Sequence, residues 1–466
     1  MMDSISPKRL SDILRASILV LLLGMLFFMP YSTFIIQVFQ HSFEAAGHPL
    51  APILIKITTG WKEVILGLAG LLFIALWLIS RKFPFKMTRF DWYLVGFAAI
   101  GTIIGGIIAH KTSRIIFGFR YDFSVFLFYF LARSVRVSRQ QLLGAMKVIV
   151  YLAIPIALFG LLQVFVLPMH FMERFGYSWD PKATGNPLPP YHLVGGGSII
   201  RALTTFPGPN STAMYAVSLV LLLWQLGTYW FKPTVARVLM VLMFVLLVLT
   251  FSRGHLLSLF FSAAIVMAYG YLAAKGHVAK GWAMLSVVTI SLLFATLGVT
   301  IYLGTVQGSQ DSKFQSLLLH DASSAIHRDV RLEAWDSIKT HPFGTGLGTS
   351  GLATTNTGEK IFNPESWYVQ ITQELGWLGL VLALGLIILT LKVFTVLESD
   401  LHDQEDRKLL FFFFAAFLAI VFSANFLPSW FEVASLSWWV LFGFFFSDYL
   451  VSFPRDARDF PIQKSA

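Results

Sequence analysis

A polar segment, residues 304–364, interrupts an otherwise apolar sequence and holds the residues best suited to chemistry. Within it, residues 325–340 can form a helix on which Arg328 and Arg331 share one face, with Trp335 one turn beyond. A guanidinium group is a planar fork of N–H donors that matches phosphate oxygens. The spacing therefore predicts an anion-binding surface on this helix.

Two histidines and one carboxylate near the same segment could bind substrate or move protons. His327 lies one position away from the arginine face, so it is either a secondary contact or an exposed polar residue. His341 opens the run His-Pro-Phe-Gly-Thr-Gly-Leu-Gly. Glu365 stands where the polar segment meets the next apolar helix. It could accept a proton, or it could stabilise that helix through its dipole.

Three further arginines lie within or beside apolar segments. Arg120 and Arg253 fall within or at the end of hydrophobic helices, where a charge is costly and normally faces the bundle interior or a wet cavity. Arg201 precedes a helix. Arginines that converge there would form a pocket for a pyrophosphate joined to a lipid. The alternatives are snorkelling to head groups, which suits Arg114, and pairing with a carboxylate, as Arg120 could with Asp122.

The glycines of residues 344–348 superficially resemble a phosphate-binding loop. The run lacks the Lys-Ser/Thr pair of a P-loop and follows no predicted strand, so we interpret it as tightly turned or flexible backbone that could line the site. The predicted outer loops have no carboxylate pair of DxD type and no His/Asp cluster with zinc spacing. We therefore expect neither a metal nor another cofactor. The chain has no Cys, which excludes disulfides and Cys nucleophiles.

The composition is that of a membrane protein. Of 466 residues, 56% are hydrophobic and 13% are charged, and the mean hydropathy is +0.70. The net charge of +10 could suggest nucleic acid, but its basic residues lie in short loops between apolar runs, which is typical of membrane orientation signals. The first apolar run is too long for a signal-peptide core, so we expect it to remain as a span.

Apolar segments of about 20 residues are long enough to cross a bilayer as helices. The sequence predicts about twelve: 13–38, 61–80, 92–110, 115–133, 143–167, 209–229, 235–251, 255–274, 282–303, 366–395, 409–427 and 434–452. We see no internal repeat and no separate soluble domain. The prediction is one all-α polytopic membrane domain over residues 1–466.

Orientation follows from the Lys and Arg residues of the short loops. With a cytoplasmic N-terminus, the inside segments are basic: Lys8, Arg9 and Arg15; Arg81, Lys82, Lys86 and Arg89; Arg133, Arg136 and Arg139; Lys232 and Arg237; Lys275 and Lys280. The acidic loop 396–408 is an exception, but acidic residues weigh little in this rule. Both termini are then cytoplasmic. A smaller loop, 168–208, and a large one, 304–365, lie outside.

Three stretches carry a resemblance to a known family. They are Arg201-Ala-Leu-Thr-Thr-Phe-Pro-Gly-Pro-Asn210, then Thr250-Phe-Ser-Arg-Gly254, and finally Arg331…Trp335…His341-Pro-Phe-Gly-Thr-Gly-Leu-Gly348 followed by Glu365-Ser-Trp-Tyr-Val-Gln-Ile-Thr-Gln-Glu-Leu-Gly-Trp-Leu-Gly379. In their order and spacing they resemble the O-antigen ligase and Wzy-type polymerase superfamily of bacterial membrane glycosyltransferases. With the predicted spans and outer loop, the resemblance covers nearly the whole chain.

The resemblance implies a GT-C-like, metal-independent enzyme of the bacterial inner membrane. Such enzymes take a glycan from a polyprenyl (undecaprenyl) pyrophosphate carrier at the outer face and pass it to a hydroxyl of a glycan or lipid-linked glycan acceptor, in O-antigen, lipopolysaccharide or other surface polysaccharide assembly. Family ligases usually have His-Asn just before this last helix, where this chain has Glu365-Ser366. That departure favours a polymerase or another polysaccharide transferase, and leaves polymerase and ligase both open.

The resemblance also implies roles for the candidate residues. Glu365 would accept the hydroxyl proton, with a histidine as the alternative base, while Arg253 and Arg331 would stabilise the pyrophosphate leaving group. The remaining candidates would bind pyrophosphate or glycan: Arg120, Arg201, Arg328, Trp335, His327 and His341.

Two other classes compete with an enzyme. A transporter or flippase of a lipid-linked or anionic glycan could use the same arginines, but transporters tend to have internal repeats and interrupted helices near the membrane midplane. This sequence concentrates its polar residues in one outer loop instead. A non-catalytic scaffold would not need Arg120 or Arg253 within the apolar segments.

Overall fold

The computed structural model describes residues 6–45, 58–179, 188–194, 199–275, 289, 322–356, 362–364, 366–401, 403–426 and 433–452. The regular elements of these ranges are helices, together with one isolated antiparallel bridge between Leu193 and Ile200.

The α-helices follow one another along the chain as α1 (Pro7–Ala45), α2 (Trp61–Ser80), α3 (Arg89–Ala109), α4 (Thr112–Asp122), α5 (Ser124–Ser134), α6 (Arg139–Phe165), α7 (Pro209–Trp230), α8 (Pro233–Leu249), α9 (Arg253–Ala274), α10 (Ala322–Thr340), α11 (Trp367–Asp400), α12 (Gln404–Ser423) and α13 (Val433–Ser452). Short 3₁₀ helices cover Phe171–Phe175 and Gly351–Asn356.

Helices overlap eleven of the predicted spans, and the remaining one, 282–303, lies outside the described residues except for residue 289. Within the described ranges, seven helices are long and apolar enough to cross a membrane, or eight if α4 and α5, bent by 53°, count as one span. The all-helical membrane fold is thus confirmed. The number of twelve crossings and the GT-C-like arrangement stay predictions.

Local sequence signals explain where several helices begin. Thr88 and Asp91 form a reciprocal capping box at the start of α3, and Ser138 and Gln141 do the same for α6. Pro209 occupies the first turn of α7, where a missing N–H costs nothing because that donor would have no helical partner. These residues define where the short loops end and where each of these helices begins.

The helices form layers with different surroundings. α7 and α12 are buried along most of their length and pack against each other in the interior of the bundle. α2 instead exposes large apolar side chains, among them Leu68, Leu71 and Leu78. A continuous exposed apolar face of this kind is a liability in water but is normal for a helix that faces lipid.

One end of the bundle is built around a buried ion pair. Arg133, 1% exposed, places its Nη1 atom 3.1 Å from Oδ1 of Asp91, which is fully buried. The Tyr129 hydroxyl donates to the same carboxylate oxygen at 2.9 Å, and Nη2 of Arg133 donates to the Lys86 carbonyl at 3.0 Å. Arg133 was predicted only as an orientation signal in a loop, yet it joins α3 to α5 inside the protein.

The acidic loop between α11 and α12 reaches the same end. Arg139, the first residue of α6, forms ion pairs of 2.7–2.9 Å with Asp403, Glu405 and Asp406. Three of the acidic residues that made loop 396–408 an exception are therefore partners of a basic residue from another predicted inside loop.

The polar segment docks at the opposite end. α3 runs for about 30 Å from Arg89, near the ion pair, to Ala109. The backbone N–H of Leu347 donates to the Gly105 carbonyl at 3.0 Å, close to the far end of that helix. The described part of loop 304–365 thus contacts the bundle at the end away from Arg133. Which end faces the cell exterior stays a prediction.

Candidate functional site

Arg201 joins two of the stretches that carry the family resemblance. Its Nε atom donates to the Thr250 carbonyl at 2.7 Å, and its Nη2 atom donates to Oδ1 of Asn210 at 3.1 Å. The next backbone N–H, that of Ala202, donates to the Leu249 carbonyl at 2.9 Å. The loop before α7 is therefore fastened to the connection between α8 and α9.

The same contacts fix the protonation pattern of a buried histidine. Because arginine only donates, the Asn210 atom that faces Arg201 is the oxygen, and the Ser252 hydroxyl donates to it at 3.1 Å. Ser252 Oγ then accepts from Nδ1 of His255, which lies 2.7 Å away. Nε2 of His255 is left with a lone pair, buried and without a hydrogen-bond partner among the described residues.

Arg253 begins α9 directly beside this network. Its side chain is exposed, whereas Ser252 and His255 on either side are buried. The N-terminus of a long helix carries a partial positive charge, so an arginine at this position adds to an existing anion-attracting end. Gly254 allows the close approach of Phe426, because an added Cβ would lie 2.8 Å from that ring. The start of α9 is thereby packed against the end of α12.

The positive charge of Arg201 also affects the protonation of His192, in the loop before it. Burial, with a smaller contribution from the nearby Arg201 guanidinium, lowers the pKa of His192 to about 4. The backbone of Arg201 donates to the His192 carbonyl at 2.8 Å. His192 is therefore neutral at physiological pH, and the positive charge at this place belongs to the arginine.

The glycine-rich run is a tightly turned segment inserted into a break in α11. Gly376 has φ of 66° and interrupts that helix, which leaves the carbonyls of Gln373 and Glu374 without helical partners. The N–H groups of Thr345 and Gly346 donate to these carbonyls at 2.8 and 3.0 Å. Glycines 344, 346 and 348 all have positive φ, as the tight turn requires. The N–H groups of Thr345 and Gly346 are therefore hydrogen-bonded to the protein's own backbone, as in a tight turn and unlike the donors of a phosphate-binding loop.

A pair of buried carboxyls lies beside this break. Asp122, at the end of α4, and Glu374, in the first segment of α11, are 2% and 0% exposed. Gln370 donates to Asp122 at 3.0 Å, and the Ser350 N–H donates to Glu374 at 3.1 Å. The bond from Gln370 to Asp122 therefore ties α4 to the first segment of α11, and the bond from Ser350 ties Glu374 to the end of the glycine-rich run.

The other described candidates are spread around this end of the bundle. Arg120 pairs with Glu63 on α2, with 2.5 Å between Nε and Oε1, so it does bind a carboxylate, but not the neighbouring Asp122 that the sequence suggested. Trp335 packs edge-on against Trp377, with ring centroids 6.1 Å apart. His341 is exposed, and its Nδ1 atom lies 3.2 Å from the Ser337 carbonyl.

Several predicted residues fall outside what the structure describes. Glu365 does so entirely, and for His327, Arg328 and Arg331 the α10 backbone is described but the side chains are not. The predicted joint action of Arg253 and Arg331 on one pyrophosphate therefore stays a prediction.

Sequence reasoning missed the residues that connect these elements. Asn210 and Ser252 stand inside two of the stretches that carry the resemblance, and His255 follows two positions after Arg253. Glu374 is a carboxylate within an apolar run, which by itself marks a candidate functional residue. The signals were present, but the sequence does not show that Asn210 and Ser252 face one arginine.

Residues 238–384 match a family model described as O-antigen ligase. The matched range includes Arg253, α10, the glycine-rich run and the break in α11, and it leaves Arg120 and Arg201 outside. The match confirms the resemblance to the O-antigen ligase and Wzy-type superfamily. No curated protein matches the chain.

Proposed function

We propose that this chain is a glycosyl-transferring enzyme of surface polysaccharide assembly in the bacterial inner membrane. It takes a glycan from a polyprenyl pyrophosphate carrier and transfers it, at the outer face, to a hydroxyl of a glycan or lipid-linked glycan. The family match over residues 238–384 supports this class. The observation that carries the proposal is the contact of Arg201 with Asn210 and, through it, with Ser252 beside Arg253.

The arginines act on the leaving group. As the bond between the anomeric carbon and the pyrophosphate oxygen breaks, negative charge develops on the pyrophosphate. Arg253 and Arg331 stabilise that charge, with Arg201, Arg120 and Arg328 as further donors, and no metal is required. Arg201 is suited to this task because its hydrogen bonds to Thr250 and Asn210 hold the guanidinium before substrate arrives.

Glu365 accepts the proton of the acceptor hydroxyl as its oxygen forms the new bond to the anomeric carbon. The residue occupies the position of the usual family histidine, and a carboxylate can accept a proton as an imidazole can. The change from His-Asn to Glu-Ser favours chain polymerisation, or transfer to another polysaccharide, over ligation to a lipopolysaccharide core.

Lysine substitution tests the arginine site. We expect Arg253→Lys and Arg201→Lys each to lower turnover on a polyprenyl-pyrophosphate-linked glycan in proteoliposomes by roughly 10²–10³-fold, the usual effect of removing one transition-state donor. Arg237→Lys is the matched control, because Arg237 is exposed and its Nε atom donates to the Pro233 carbonyl of its own helix. Equal turnover in Arg253→Lys and Arg237→Lys would remove Arg253 from the mechanism.

Glutamine substitution tests the base. Glu365→Gln keeps the size of the side chain but cannot accept a proton, so turnover should fall by roughly 10²–10⁴-fold while donor affinity changes little. Normal turnover in this variant would transfer the proton-accepting role to a histidine and leave the arginine site intact.

A transporter is a second candidate because α11 is interrupted at Gly376, a feature common in transporters. The interruption is near one end of α11, however, and the 22 residues from Trp377 to Glu398 are about 33 Å long, enough to cross the hydrocarbon layer by themselves. That geometry differs from a break at the midplane. Reconstitution with the lipid-linked glycan separates the classes: a new glycosidic product supports the enzyme, and movement across the bilayer without product supports the transporter.

A further inference from the structure

Three aromatic side chains gather where α10 and the glycine-rich run meet the break in α11. Trp335 on α10 packs edge-on against Trp377, the first residue after Gly376, with centroids 6.1 Å apart. The backbone of Phe343 lies against Gly376, where an added Cβ would be 2.7 Å from the Phe343 Cα atom. The Phe343 side chain is 83% exposed and that of Trp377 is 47% exposed. We call Trp335, Phe343 and Trp377 the aromatic patch.

The aromatic patch continues an apolar surface that already faces lipid. Beyond Trp377, α11 exposes Leu378, Val381 and Ile388 along the segment that is long and apolar enough to span the membrane. The 22 residues from Trp377 to Glu398 measure about 33 Å, close to the roughly 30 Å of a hydrocarbon layer. Trp377 therefore stands at the level where hydrocarbon gives way to head groups.

Aromatic side chains are enriched at this level of membrane proteins, because their apolar rings lie in the boundary layer while indole N–H groups reach polar head groups. In water, an exposure of 83% for the Phe343 side chain would be unfavourable, whereas contact with lipid accounts for it. On the polar side of the aromatic patch, the Lys339 ammonium lies 6.0 Å from the centroid of the Trp335 ring. Its position suits contact with a lipid phosphate above the rings.

We propose that the aromatic patch seats α10 and the glycine-rich run on the head-group boundary of the membrane leaflet, with bilayer lipid as its occupant. The polar segment is then an interfacial element and not a loop suspended in water. Trp335 contacts Trp377 and lipid in this arrangement, which favours a membrane contact for it over the glycan contact that the sequence predicts. The inference rests on the surface of α11 and is independent of the reaction catalysed.

The absence of Cys from the sequence allows a direct test by site-directed spin labelling. Single-Cys variants Phe343→Cys, Val381→Cys and Asp336→Cys are labelled with a nitroxide and placed in nanodiscs of phosphatidylethanolamine and phosphatidylglycerol. Val381, 64% exposed on α11, is the bilayer reference. Asp336, whose side chain is 74% exposed on α10, is the water reference. Collision rates with oxygen, which concentrates in lipid, and with a water-soluble nickel chelate are measured at each position.

We expect the label at position 343 to collide more often with oxygen than with nickel, with a ratio between those of the two references. A ratio equal to that of the Asp336→Cys label would overturn the proposal, because the aromatic patch would then face water. Low collision rates with both reagents, together with dipolar broadening that disappears when labelled protein is diluted with unlabelled protein, would also overturn it in favour of a second copy of the chain. Phe343 is on the surface, so its replacement leaves the core unchanged.

Discussion

The buried ion pair between Asp91 and Arg133 gives the sharpest stability prediction. In Asp91→Asn the Arg133 guanidinium, 1% exposed, loses its counter-charge but remains buried. Breaking one partner of such a pair typically costs about 3–5 kcal/mol, because the remaining charge has neither water nor a carboxylate. The replaced side chain also accepts hydrogen bonds from Thr88, at 2.7 Å from its N–H and 2.8 Å from its hydroxyl, so part of the helix cap weakens too.

A surface cluster at the same end of the bundle supplies the control. Arg139 pairs with three carboxylates, but its side chain is 31% exposed and those of Asp403 and Glu405 are about half exposed. Solvated ion pairs contribute roughly 0–1 kcal/mol, so Arg139→Ala should change the free energy of unfolding by about 1 kcal/mol or less. The two variants remove one charge each from ion pairs that differ mainly in burial.

Reversible unfolding in mixed micelles, followed by intrinsic tryptophan fluorescence, measures both variants. Trp439 is a suitable reporter because its ring lies 5.7 Å from that of Tyr129, which bonds to Asp91. The double variant Asp91→Asn/Arg133→Met should regain most of the loss, since it removes the uncompensated charge. Equal losses for Asp91→Asn and Arg139→Ala, or no recovery in the double variant, would refute the reasoning.

Three further predictions concern single positions. Gly376→Ala should impair folding, because φ is 66° and the new Cβ would lie against the Pro342 carbonyl oxygen, whereas Gly96→Ala, with open space around it, should be neutral in a thermal-shift assay. The lowered pKa of His192 makes folding less favourable as pH falls from about 6.5 to 4, by at most about 3.4 kcal/mol, and His192→Gln should weaken the pH dependence of the unfolding midpoint over this range. His255→Asn, which can still donate to Ser252, should keep more glycosyl-transfer activity than His255→Leu.

Apolar length allowed most of the helices to be predicted. Spans occur wherever apolar runs reach membrane length, but the capping boxes of Thr88 and Ser138 start α3 and α6 at Arg89 and Arg139, before the predicted starts at residues 92 and 143. The break at Gly376 was not predicted, because glycine within an apolar run also occurs in continuous helices, as at Gly96. The break depends on the backbone N–H groups of residues 345 and 346, which bind the freed carbonyls. Their position next to α11 is set by the tertiary fold.

Candidate residues were easier to choose than their partners. Arg201 and Arg253 were chosen as candidates because a charge near apolar segments is costly and usually has a structural or functional role. The pairing of Arg120 with Glu63 could not be deduced, since the two are 57 positions apart in the chain and Asp122 was the nearer carboxylate in sequence. Contacts between distant elements decide such pairings, and a single sequence carries no record of them.

The break in α11 also has a consequence for biosynthesis. The ribosome makes Thr345 and Gly346 before Gln373 and Glu374, whose carbonyls they bind. The glycine-rich run therefore emerges from the ribosome before the first segment of α11 does. Until the two meet, the interrupted helix has carbonyl groups without partners in an apolar setting. The backbone N–H donors of residues 345 and 346 are thus synthesised before the carbonyl acceptors of residues 373 and 374.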